Sequence, residues 1–149
     1  VAGILRLTGE FDRPRREILT RALQMTWMGQ QLNNPPSVEG WHQGTAWIDT
    51  GTLVERINFA SEQFGDVRKP GVKAMIDKVL ANNGKAASGE HLVDACLDQM
   101  GAITVSDKTH SILTQFALQV HDVSTEEQAR EKVANLFRLA AASHEFQRA

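Results

Sequence analysis

The residues of this chain that could do chemistry gather between Gln30 and Asn58. Trp41 and Trp47 offer flat apolar faces suited to a sugar ring, with Glu39, His42 and Asp49 placed at the rim. Glycoside hydrolysis needs two carboxyls at a set separation, and Glu39 with Asp49 is the pair on offer. Nothing in the spacing sets that separation. Asp49 also stands where a helix N-cap is wanted, which accounts for it without catalysis. The tryptophans have a structural reading too, as a plug between the first two long helices, each burying about 150–250 Å². The usual place of aromatics in cores favours the plug over the platform. Arg56 lies one turn after Thr52, within reach of Asp49 or the loop's carbonyls. A guanidinium that ties the loop down by several hydrogen bonds is the first reading of Arg56, and an anion-binding arginine the second.

The other reactive residue types are scattered. His91 and Asp94 have helical metal-ligand spacing, with Asp98 one turn on, but a solvated polar face explains them as well. His110 and His121 share a helix face at about 16 Å, too far apart to hold one ion. Cys96 falls on an apolar stripe with Leu92, Leu97 and Met100 and reads as a small hydrophobe. A single cysteine excludes a disulfide framework and any multi-cysteine zinc site. Neither phosphate-loop motif nor the Gly-x-Ser-x-Gly elbow is present. No catalytic residue, metal ligand or cofactor is therefore assigned, and catalysis is not expected of this portion of chain.

The elements that must position these residues read as helices throughout. Val1, Ile4 and Leu5 have helical spacing before Thr8-Gly9. Pro14 suits the first turn of a helix running to about Met28, and Gly29 ends it. Apolar Ile18, Leu19, Ala22, Leu23, Met25 and Trp27 cover more than one of its faces, which predicts a central helix. Arg13, Arg15, Arg16 and Arg21 make a local basic cluster there, read as a solvated face or a contact with absent chain. One long irregular segment follows, from Gln30 to Asp49, rich in Pro, Gly and Trp. A second long helix runs from Asp49-Thr50 to Gly65 with Leu53, Ile57, Ala60 and Phe64 inward, and Thr52 to Glu55 is an alternative capping box. Three shorter helices come next. The first runs from Gly71 to about Asn82, the second is capped by Ser88 and ends at Gly101, and the third is capped by Ser106 with Ile112, Leu113, Phe116 and Val120 inward. Ser124-Thr125-Glu126-Glu127 forms a capping box for the last helix, whose stripe is Ala129, Val133, Leu136, Phe137 and Ala140. It ends near Ala142, and Ser143 begins a tail. The fold class is all-α, an irregular bundle of six or seven helices in one domain over residues 1–149.

Composition agrees with that class. The chain has 149 residues, 42% hydrophobic and 23% charged, which suits one globular domain. Its net charge of −2 argues against a phosphate-tracking nucleic-acid binder. No apolar run approaches the roughly 20 residues that span a bilayer. A first helix that begins at full apolar density without a cap reads as cut from a longer protein.

One stretch is distinctive. Pro35-Pro36-Ser37-Val38-Glu39-Gly40-Trp41, then Ala46-Trp47-Ile48-Asp49-Thr50 and Arg56-Ile57-Asn58-Phe59, resembles the signature of the bacterial domain of unknown function 1800 family. Met28-Gly29-Gln30 upstream and Ser143-His144-Glu145-Phe146-Gln147 at the close fit as well. His144 departs from the proline common there in the family, which implies a looser tail. The resemblance implies a C-terminal portion of a longer, exported protein, hence periplasmic or extracellular, and it names no activity.

The leading expectation is a non-catalytic helical portion that packs against the N-terminal remainder of its parent or binds a partner protein, with homodimerisation as a consequence of any exposed face. A carbohydrate-acting or carbohydrate-binding role, with Trp41 and Trp47 as platform, is the alternative. A metal-binding module stands third.

Overall fold

The computed structural model describes residues 1–11, 15–31, 33–40, 50–84, 89–101, 103–119 and 125–148. Among them are eight α-helices and no strand, the one β-bridge joining Ser37 to Gly40. The helices are α1 (Ala2–Leu7), α2 (Arg15–Trp27), α3 (Thr50–Gly65), α4 (Pro70–Asn83), α5 (Glu90–Gln99), α6 (Asp107–Gln119), α7 (Glu126–Ala142) and α8 (His144–Arg148).

The last long helix organises the rest. Thr125 caps α7, its hydroxyl accepting from the Gln128 amide at 3.2 Å while the Gln128 side chain accepts from the Thr125 amide at 3.1 Å. The box thus starts one residue later than the Ser124 to Glu127 pairing read from sequence, because Gln128 can close it reciprocally. Ala129, Val133, Leu136, Phe137 and Ala140 are all buried, as their spacing predicts. Helices α3 to α6 and α8 pack on α7, and α3 does so most extensively. Small residues Ala134, Ala140 and Ala141 let the helices approach closely. Phe64 of α3 then stacks at 6.3 Å from Phe137 and edge-on at 5.8 Å from Phe146 of α8.

A second, smaller core joins α1, α2 and α3 through Leu5, Met28 and Phe59, with Ile4 touching both cores. What holds α1 in place is a backbone contact. The Gly71 amide donates to the Thr8 carbonyl at 3.1 Å, and a β-carbon at Gly71 would lie 2.0 Å from the Leu7 carbonyl oxygen. Only glycine lets α4 begin that close to the end of α1. Around this junction Arg21 pairs with Glu10 at 3.6 Å, and the Lys69 ammonium donates to Gln63 at 2.7 Å. Burial holds the Lys69 pKa below its ordinary value.

Several expectations from sequence are corrected. Helix α2 is peripheral: Ile18, Leu19, Leu23 and Trp27 are 58%, 69%, 56% and 61% exposed, since it packs on its neighbours, chiefly α3, through its other face. An all-round apolar helix signals burial only where neighbours exist on every side. Gly89, at φ +72°, is the N-cap of α5 in place of Ser88, which lies outside the described residues. Thr52 and Glu55 fall inside α3, so the alternative box there is not used. On α6, Ile112 is exposed, and the inward positions are Leu113 and Ala117, with Phe116 at the margin. The tail after Ser143 is the short helix α8 and not a loose turn. Of the basic cluster, Arg21 is engaged with Glu10 and Gln24, while Arg13 and the side chains of Arg15 and Arg16 lie outside the described residues.

Gly71→Ala is expected to destabilise the fold by roughly 1–3 kcal/mol, at the upper end because the clash is with backbone. Urea unfolding checks this, with Ala74→Gly on the exposed side of the same helix as a comparison that costs about 1 kcal/mol.

Candidate functional site

Five stretches of the chain meet in one cleft of about 360 Å³. Helix α1 supplies Ile4 and Leu7, and the end of α2 supplies Met25, Met28 and Gln30. From α3 come Arg56 and Phe59, from the end of α5 and the segment after it Met100 and Ile103, and from α8 Phe146 and Gln147. The cleft lies where the two cores fail to close on each other, with Ile4 between them. Its walls mix apolar side chains with the amides of Gln30 and Gln147, and among the described residues Arg56 is the sole ionisable side chain that lines it.

Arg56 is half-buried, and its Nε is wholly buried with no hydrogen-bond partner. A buried donor left unmade costs about 1–3 kcal/mol, and more when charged. Among the described residues no carboxylate pairs with it. The cleft thus holds one cationic side chain without a described counter-charge.

The other candidate residues fare differently. Glu39 is exposed on a tight turn in which the Gly40 amide donates to the Ser37 carbonyl at 3.0 Å, away from the cleft. Trp41, His42, Trp47 and Asp49 lie outside the described residues, and with them the Glu39–Asp49 pair, the tryptophan plug and platform, and the Arg56–Asp49 tie. His91, Asp94 and Asp98 do share a shallow cleft, but no group of three potential metal ligands occurs among the described residues. Asp94 instead meets His110 Nε2 at 2.9 Å across α5 and α6, a pairing that the helical spacing of His110 and His121 did not suggest. Cys96 is buried, and burial pushes its thiol up to about 12, so it is no thiolate at neutral pH.

Sequence reasoning missed Met100, Ile103, Phe146 and Gln147 as site residues. A signal existed for the last two: Met28-Gly29-Gln30, the Arg56 to Phe59 motif and the closing Phe146-Gln147 all belong to stretches that carried the resemblance, and they converge here.

Helix α8 is held in place for this by Glu145, whose carboxylate accepts from the Ser106 amide at 3.0 Å and the Thr109 hydroxyl at 3.0 Å. These bonds, those of Ser106 first, draw its pKa down from 4.5 to about 2.

Fold and cleft together define an all-α chain with a cleft that bears one cationic side chain among the described residues. The chain matches, over residues 1–148, the family described as Protein of unknown function (DUF1800), and it belongs to that family. No curated protein and no solved structure matches it.

A carboxyl whose pKa is depressed by folding stabilises the fold above its unfolded pKa, and that contribution fades as pH falls from 4.5 toward about 2. Glu145→Gln is expected to lower the melting temperature at pH 7 by about 2–4 °C and to flatten the decline between pH 4.5 and 2. Asp66, held near 2 by Arg68, keeps a residual slope in the variant. Thermal unfolding across pH reads both effects.

Proposed function

We propose that this chain is a non-catalytic helical portion of a larger, exported bacterial protein, and that α2 is the surface by which it docks against the rest of that protein. The observation that carries the reading is the outer face of α2. Leu19, Leu23 and Trp27 recur every four residues on it, all more than half exposed, with Ile18 beside them. Covering such side chains contributes about 1.5–3 kcal/mol each, which an interface gains and an isolated chain forgoes.

Because Cys96 is buried, a Leu23→Cys variant reports on α2 alone. Its thiol is expected to react with a maleimide roughly tenfold more slowly in the longer protein than in the 149-residue chain. Equal rates in the two would overturn the docking reading. In the 149-residue chain the free face drives self-association, and sedimentation across concentrations should show it lost in Leu19→Glu/Leu23→Glu at unchanged helical content.

A further inference from the structure

We infer that the cleft bearing Arg56 is a binding site for a single-chain amphiphile with a carboxylate head, the guanidinium taking the head and the apolar walls taking the chain. At about 360 Å³ it falls at the small end of small-molecule sites, which are mostly apolar with a few placed polar groups. Ile4, Leu7, Met28, Phe59, Met100 and Phe146 supply the apolar wall. Met28 and Met100 belong to the side-chain type that adapts most readily to irregular ligands.

The head group follows from charge. Arg56 is the only ionisable side chain on the wall among the described residues, its Nε is buried and donates to nothing, and no described carboxylate neutralises it. A guanidinium fork matches a carboxylate in shape, and a single guanidinium matches a single negative charge. The side-chain amides of Gln30 and Gln147 are neutral and one Gln147 N–H donates to the Ala141 carbonyl at 2.7 Å, so the charge complement of an anion falls to Arg56. An uncharged ligand would leave the guanidinium without a counter-charge, and one with several negative charges would find no second cationic side chain on the wall among the described residues.

The site can be blocked without touching Arg56. Gly3 of α1 lines the cleft, and a β-carbon built there meets no atom within 4 Å. Gly3→Leu therefore grows into open space, and exchanging glycine for leucine favours the helix.

The test titrates the 149-residue chain with sodium decanoate below its micellar range, and with 1-decanol as the uncharged analogue, by calorimetry and thermal unfolding. Decanoate is expected to bind saturably and raise the melting temperature, with decanol roughly tenfold weaker. Arg56→Met should bring decanoate down to the level of decanol. Gly3→Leu should weaken both ligands while helical content holds, and it keeps the proposal testable if Arg56→Met does not fold. Equal binding of decanoate and decanol by the unaltered chain would overturn the role of Arg56. Undiminished binding in Gly3→Leu would place the ligand elsewhere, on the outer face of α2, and overturn the site. No binding of decanoate at all would overturn both.

Discussion

The packing of α7 against α3 is the interaction on which the rest of the molecule depends. Eight residues of α7 are buried, and they are not confined to one narrow stripe, because helices lie around most of its circumference. Lys132 is among them, with its ammonium pKa lowered by burial, so even a lysine is drawn into the packed zone there. Phe64 and Phe137, both fully buried, lock the two longest helices together. Once that pair is set, α4, α5, α6 and α8 each have a surface of α7 to cover.

Helices α1 and α2 stand outside that arrangement, and the cleft is a consequence. Helix α1 is tied to α4 through the Gly71 to Thr8 backbone contact, whereas α2 packs chiefly on α3. Neither reaches far enough to seal the space between the small core of Leu5, Met28 and Phe59 and the main one. Protein interiors are close-packed, so a gap of this size beside a main core is maintained only where rigid elements hold its walls apart. Here those elements are α3 on one side and α8, pinned through Glu145 to the start of α6, on the other.

Helix α2 serves two surfaces at once. Met25 and Met28 look inward to the cleft, while Leu19, Leu23 and Trp27 look outward to solvent. An amphipathic helix normally spends its polar residues on the outer face. That α2 does not do so sets it apart from α4 and α5, whose buried residues fall on a single inner stripe.

How much of this was legible in the residues divides along the same line. Within an element the local rules suffice: the periodicity of Ala129 to Ala140 marked the inner face of α7, Leu92 to Met100 that of α5, and Gly29 the end of α2. Caps were legible to within a residue, since Thr125 took the place of Ser124, because several neighbouring side chains can satisfy the same amide. Which apolar faces find a partner was not legible. Ile112 and the outer face of α2 carry the same residue types as buried positions, and only the placement of other helices distinguishes them. The site shows this most plainly. The sequence by itself singled out Arg56 as a residue type suited to anions, and the family resemblance marked the stretches around Met28, Phe59 and Phe146. That these meet on one cleft, and that Arg56 arrives there without a counter-charge among the described residues, was decided by tertiary structure, because burial and pairing depend on neighbours far removed in sequence.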